Sequence, residues 1–446
     1  MMTEHVERVP IGIWSELPPG ARWANEGISR IVGFTIEGGA KNAEFIFHVL
    51  VPRGMAETVR EDLRSLAATE GVDWQVHEAT EAFERDWIAS NPNGVAGFSN
   101  FVAIMAAYAN LHIQVSGWLN TFPHFTGSQL LTQGKAALLP DAIPYDFPIG
   151  WDYEHYWSDE GEWVRWLRIA QETLRDAEAV VAHSKHVATR HGVKLLGLDQ
   201  RSICINPHAP PDLSSLLPFV TNRQKTKATR DCAAAILRRF AEERSISYLR
   251  DFPFEEVKFA FVATQERITK NVGRAALAIN RMLRRDRVSL KLLMTTPVHW
   301  GADWTLLPSL LEAQQLQFDV LSLPDVPREV HAALFHCAEV TIHPSFYEGI
   351  VGTLTFYESV SVGTPCIMGR GPHVDELLET EPELEPLVFD PYDVEGMVKL
   401  INEVIDNPSK ALATQLPAYE RRLERGWDQA ARVYANAASG KARGGW

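Results

Sequence analysis

Two series of short apolar runs, each run followed by a segment of helical period, leave this chain few ways to fold. In the first series, Val9–Trp14 and residues 44–51, 73–77, 178–182 and 201–206 read as strands. A helix from about Asn25 to Glu37 places Ile28, Ile31, Val32 and Ile36 on one face, and helices are expected at 55–70, 81–89, 163–176 and 185–191. Strands joined through helices pair in parallel and are covered on both faces. The second series starts at Val257, with strands at 257–263, 289–295, 320–323, Val340–His343, 365–369 and 387–389. Helices are expected between them at 272–284, 306–315, Arg328–Cys337, 352–362 and 374–379, and after them at Val394–Asp406 and 417–438. Pro207, Pro210 and Pro211 interrupt the pattern and set a boundary near residue 210. The expected organisation is a first domain over 1–210 and a second over 211–425, opened by a linker or helical insert at 211–255. Residues 426–446 then form a closing helix and mobile tail. The fold class is α/β, two Rossmann-like domains in series, with ligands expected at the strand C-termini.

Composition narrows the function. With 46% hydrophobic and 22% charged residues in 446, there is enough apolar surface for packed cores, which excludes general disorder. The net charge of −14 argues against non-specific nucleic-acid binding, which needs many cations on phosphates. Cys204, Cys232, Cys337 and Cys366 are scattered, with no C-x-x-C, and read as reduced thiols in a cytoplasmic protein. The N-terminus shows no basic segment followed by an apolar one, so no signal peptide is expected. Residues 87–134 contain no charged side chain, and 101–118 is long enough for a bilayer core of about 30 Å. Asn110, His112, Gln114 and Ser116 fall inside it, however. The expectation is a buried helix ending near Asn110, then a strand over the alternating residues 111–116, with another short strand at 95–98. Residues 221–250 carry eight basic side chains against three acidic ones. They read as a solvated linker and helix, with peripheral contact to an anionic membrane face as the weaker alternative.

The passage with most chemical content is HPSFYEGIVGTLTFYESVSVGTPCIMGRGPHVDE, from His343 to Glu376. A strand ends at His343, and Glu348, Gly349 and Gly352 precede a helix bearing Glu358. Glycines ahead of a helix let backbone N–H groups approach a phosphate, and the helix N-terminus favours negative charge. A carboxylate on that helix can accept hydrogen bonds from ribose hydroxyls. A second passage, FVATQERITKN, puts Arg267 and Lys270 after the first strand of the second series. Two fixed cations there would stabilise a departing diphosphate.

These passages resemble the signature of GT-B-fold retaining glycosyltransferases of the group 1, or family 4, type, P-S-x-x-E-G-(Gly turn)-E-A-x-A-x-G-x-P. Pro344, Ser345, Glu348, Gly349, Glu358, Gly363 and Pro365 fit it, and Arg267 and Lys270 fit the family's R-x-x-K-N. Nine residues separate Glu348 from Glu358 where the family usually has seven. The resemblance implies two Rossmann-like domains facing across a cleft and retaining transfer of a hexose from a nucleotide-diphosphate sugar to a hydroxyl of a glycan or lipid-linked glycan. It implies catalytic roles for Glu348, Arg267 and Lys270. The donor would be bound by Glu358, Gly349, Gly352, Thr353 and Leu354, with Leu323 by the nucleobase and Gly27 standing for the N-terminal glycine loop. No cofactor other than the donor substrate, and no metal, is implied. The segment around Asp141 resembles the family's H-D-x-x-P with Pro140 in place of the histidine, so that histidine's role has no counterpart at this position. Asp141, Trp118 and His124 fall on the acceptor side, the last two in a group with Phe122 and Phe125 whose rings suit sugar C–H faces or ordinary core packing. A second aromatic group, Tyr145, Phe147, Trp151, Tyr153, Tyr156 and Trp157, suits a lipid acceptor or a cleft filling equally.

Other chemistries lack their motifs. There is no D-x-D for a metal-held diphosphate, no G-x-G-x-x-G after the first strand, no P-loop, no G-x-S-x-G and no H-E-x-x-H. His183 and His208 beside apolar strands read as structural, while His112 is left open to face the ligand crevice. A sugar-nucleotide epimerase on the same fold, or a scaffold that binds sugar nucleotides without turnover, are the alternatives.

Overall fold

A computed structural model describes residues 8–21, 23, 27–146, 160–298 and 306–442. The cap expected at Asn25 and the aromatic residues Phe147, Trp151, Tyr153, Tyr156 and Trp157 lie outside them. The chain divides into two compact units. One holds the described residues of Met1–Asp146, Trp157–Ala209 and Arg425–Trp446, the other those of Pro210–Glu424.

The first unit is built on β1 (Val9–Trp14), β2 (Phe45–Leu50), β3 (Trp74–His77), β4 (Trp118–Asn120), β5 (Lys135–Leu139), β6 (Ala179–Ala182) and β7 (Ile203–Ile205). They form one parallel sheet in the order β3-β2-β1-β4-β5-β6-β7. The order reverses between β1 and β4, the place where open α/β sheets offer a crevice at their carboxyl ends. Both faces are apolar. Ile11, Ile13, Phe47, Val49, Leu138 and Val181 pack on one side, and Trp14, Leu50 and Trp118 are buried on the other. Trp14 and Trp118 meet edge to face at 6.2 Å. The closing helix, Trp427–Ala438, packs on helix Gly27–Asn42, with Trp427 stacked on Phe34 at 4.7 Å.

The second unit repeats the plan with β8 (Phe259–Val262), β9 (Lys291–Met294), β10 (Val320–Ser322), β11 (Val340–His343), β12 (Cys366–Gly369) and β13 (Val388–Phe389). The order is β10-β9-β8-β11-β12-β13, all parallel, reversing between β8 and β11.

Several expectations are corrected. Residues 95–98 form turns. The helix Asn100–His112, capped by Ser99, runs through the start of the alternating stretch, and β4 begins only at Trp118. The alternation there comes from the last helical turn, where Leu111 is 71% exposed, followed by an extended connector. His112 therefore sits on a helix, against Phe83 and Tyr108. Among the described residues no helix is long and apolar enough to cross a membrane. β5 was not expected, because its five residues sit between glycine and proline, yet it lies between β4 and β6 with Ala136 to Leu139 buried. Pro417 lies inside the helix Pro408–Leu423 instead of opening one.

The basic stretch 221–250 includes the helix Lys227–Glu243, whose Ala233, Ala234, Leu237 and Phe240 are buried. Its cations meet acids from elsewhere in the second unit: Arg230 with Glu339 at 2.6 Å, Arg238 with Glu255 at 2.5 Å, Arg239 with Glu329 and Arg223 with Glu420 at 3.3 Å. Lys225 is turned inward onto the Ala338 carbonyl, and burial pushes its ammonium down to about 8. A patch so neutralised has little charge left for an anionic surface.

Packing at the first sheet's reversal leaves no room beside β1. A Cβ on Gly12 would stand 2.3 Å from the Trp118 ring. Gly12→Ala is expected to lower the first unit's stability by about 1–3 kcal/mol through overpacking, measured by denaturant unfolding followed by tryptophan fluorescence.

Candidate active site

The loops after β8, β11 and β12 converge where the second sheet reverses. After β8 the chain makes a short 3-10 turn, Ile268–Lys270, and then Asn271 adopts a left-handed backbone at φ +55°. Asparagine tolerates that conformation, and here its buried side chain has a task. Its Nδ2 donates to the Pro344 carbonyl at 3.0 Å and the Pro391 carbonyl at 2.9 Å, while Oδ1 accepts from Arg274 at 2.9 Å. The Phe346 amide donates to the Thr269 carbonyl at 3.0 Å. The loops following β8, β11 and β13 are thus tied together around one side chain, which fixes Lys270 at the sheet's end.

Lys270 Nζ lies 2.6 and 2.7 Å from the two carboxylate oxygens of Glu348. His343 Nε2, at the end of β11, is 3.3 Å from the same carboxylate, and the His373 ring is 5.8 Å from that of His343. Burial alone would raise the Glu348 carboxyl. The Lys270 ammonium, the bond from His343 and the fields of both histidines outweigh it and hold the group well below the usual carboxylate range. The site therefore contains a fixed anion–cation pair with two mostly buried imidazoles beside it.

Thr353 caps the helix Leu354–Ser361 by accepting from the Phe356 amide at 3.0 Å. Its first-turn amides lie outside the helical ladder, as at any helix start. Gly352 has φ +69°, and its N–H donates to the His373 carbonyl at 2.8 Å. The wide spacing between Glu348 and Glu358 thus holds a turn fastened to the next loop, and the Gly352 amide, expected to meet a phosphate, is already used. Glu358 is 2% exposed. It lies three residues beyond Thr355, whose hydroxyl reaches the Ala263 carbonyl just past β8 at 3.4 Å, so it shares the helix face turned to that loop.

The other expected residues are spread more widely. Arg267 is exposed beside this cluster and forms no ion pair among the described residues. Gly349 is buried next to Glu348. Leu323 is buried, with its N–H donated to the Met294 carbonyl. Gly27 is exposed at the start of its helix in the first unit. Asp141 accepts from the Ile143 amide at 3.1 Å and so shapes the following turn. Trp118 is fully buried, its indole N–H given to Gln133 at 3.0 Å, which leaves it no face for a sugar. His124 is half-buried, 2.9 Å from the Tyr145 hydroxyl, and desolvation pushes its imidazole down to about 4. His183 and His208 are buried, as structural histidines are. The sequence reading passed over His343, His373 and Asn271. All three stood inside the quoted passages, but only the fold brings them together.

Asp146, His186 and His191 also lie within metal-binding reach of one another. His191 Nδ1 accepts the Ala142 amide at 2.8 Å, so its proton sits on Nε2, 3.4 Å from Asp146. Arg190 also holds Asp146, at 2.8 Å through Nε. Asp146 thus sits between Arg190 and His191.

Residues 254–422 match the family model described as Glycosyl transferases group 1. No curated protein sequence matches the chain. Among solved structures, Anabaena HepE in complex with UDP-glucose is similar at 12% identity and a TM-score of 0.64, over 97% of this chain and 100% of that one. The sucrose-phosphate synthase of Thermosynechococcus elongatus matches at 14% identity and 0.63, over 96% and 97%. An E. coli trehalose-6-phosphate structure bound with UDP-2-fluoro glucose matches at 10% and 0.58, over 97% and 99%. At such identities the likeness is one of fold, a pair of Rossmann-like units of the GT-B kind.

A carboxyl whose folded value is depressed contributes stability above its unfolded value and loses it as pH falls through the folded one. The stability gap between the native chain and Glu348→Gln is therefore expected to stay constant from pH 8 to about pH 5 and to narrow only in stronger acid, read by urea unfolding at each pH.

Proposed function

We propose that this chain is a retaining, metal-independent glycosyltransferase that moves a hexose from a nucleoside-diphosphate sugar to a hydroxyl of a glycan-type acceptor. The observation that carries the reading is the Lys270–Glu348 pair, held where the second sheet reverses, inside the segment that matches the group 1 family.

In this reading the bond between the sugar's anomeric carbon and the diphosphate oxygen breaks, and negative charge grows on the leaving phosphate. Lys270 and Arg267 offset that charge where other enzymes use a divalent ion. Lys270 is already oriented by Glu348, so little reorganisation is needed as charge develops. The first-turn amides of the helix Leu354–Ser361 add donors for the phosphates. Glu348 stays ionised and offers its remaining acceptor positions to hydroxyls of the transferring sugar. Glu358 accepts from the ribose. His343 holds the Glu348 carboxylate in place, and the fields of His343 and His373 help keep its charge. An acceptor oxygen then bonds to the anomeric carbon on the face the phosphate leaves, and its proton passes to that phosphate, which preserves configuration.

Calorimetric titration of the full chain with UDP-, GDP- and ADP-sugars should show binding of at least one, with slow release of free nucleotide. Lys270→Ala should lower that turnover at least ~100-fold. Binding of none of these donors, or near-normal turnover in Lys270→Ala, would overturn the assignment.

A further inference from the structure

Asn271 holds two loops by their carbonyls, and the side chain three residues further on grips the same two loops by their rings. Arg274 stands in the first turn of the helix Val272–Arg281, its amide 3.2 Å from the Asn271 carbonyl. Its guanidinium carbon lies 5.4 Å from the centre of the Phe346 ring and 5.1 Å from that of Tyr392, and the two rings are 4.7 Å apart. Both distances are those of a cation held against aromatic faces. Phe346 lies two residues beyond Pro344 and Tyr392 one beyond Pro391, the residues whose carbonyls Asn271 Nδ2 holds. One guanidinium therefore meets both loops while its Nη1 donates to Asn271 Oδ1 at 2.9 Å.

The two grips depend on each other. Asn271 is 6% exposed, and Arg274 satisfies its side-chain oxygen. A buried amide oxygen that loses its partner is costly, and the side chain regains one only by turning. Turning would take Nδ2 off the Pro344 and Pro391 carbonyls and loosen the left-handed turn that follows Lys270 directly. The shape of the cation matters here as much as its charge. A flat guanidinium lies against rings with its faces and donates along its edge, whereas an ammonium is a single point and cannot do both.

We propose that Arg274 is a positioning residue: by pinning Asn271 between the Phe346 and Tyr392 loops, it holds the Lys270 ammonium on the Glu348 carboxylate. Arg274 acts through Asn271, and its part in sugar transfer rests on the reading of Lys270 as the cation that offsets the leaving phosphate.

Two measurements on the full chain test this. The first needs no substrate: urea unfolding compares the native chain with Glu348→Gln, and then the same pair with Arg274→Lys in both members. In the native background Lys270 keeps Glu348 low, so the gap between the members is flat from pH 8 to about pH 5. With Arg274→Lys, an ionised Glu348 has lost its fixed cation and is penalised at pH 8, and proton uptake relieves that penalty as pH falls. The ratio of the two members' unfolding constants at pH 8 should therefore change at least ~10-fold, in the direction that disfavours the glutamate, and the gap should acquire a slope between pH 8 and 5. The second measurement is nucleotide release from a bound UDP-, GDP- or ADP-sugar, which Arg274→Lys should slow at least ~10-fold. Asn271→Gly, which keeps the left-handed turn and removes the side chain, should give the same two changes, and adding Arg274→Lys to it should do nothing more. If Arg274→Lys leaves the gap and the release rate as they are in the native chain, or if its losses add in full to those of Asn271→Gly, the proposal falls. If no sugar nucleotide binds, the transferase reading falls, while the unfolding comparison still decides whether Arg274 keeps Lys270 on Glu348.

Discussion

Burying a carboxylate is costly unless a cation meets it, and the second unit's site is organised around one such meeting. Glu348 keeps its charge because Lys270 sits on both of its oxygens and His343 stands beside them. Lys270 is in place because Asn271, the next residue, is fastened to two other loops. That fastening requires a left-handed turn directly after a 3-10 turn, which in turn requires β8 and β11 to be neighbours. Each step depends on the one before, so the pair reports on the whole carboxyl end of the sheet.

The two units solve the same problem with different materials. Each is a parallel sheet whose order reverses beside its first strand, and each presents a carboxylate there. In the second unit the carboxylate is neutralised by a cation and stays ionised. In the first, Glu16 is held by neutral donors alone and burial raises it. A charged pair suits contact with an anion, because the cation can share its charge with the newcomer.

Much of the site was legible in the sequence for a local reason. Glu348, Gly349, Glu358 and Gly363 lie within one strand–turn–helix stretch, where spacing along the chain nearly equals spacing in space. Lys270 could be picked out because it lies in the loop that follows β8. What the sequence left open or missed has the opposite cause. Trp118 suited a sugar face or core packing equally until Gly12, far away in sequence, was seen to open the gap it fills. The membrane alternative for the basic stretch 221–250 arose because the acids that meet its cations, Glu255, Glu329, Glu339 and Glu420, lie outside the window. β5 was lost to its flanking glycine and proline, which say turn on both sides of a run too short to speak for itself.

The sequence by itself determined the alternation of strand and helix, the parallel sheets that follow from it, and the membership of the signature residues in one local string. Hydrophobic period and turn chemistry act over a few residues, and they suffice for that much. Only the tertiary structure decided that Glu348 meets Lys270 across 78 positions, that Glu16 is gripped by Gly127 across 111, and that Trp118 is core. Those outcomes depend on which strands become neighbours, and a strand's apolar face does not name its partner.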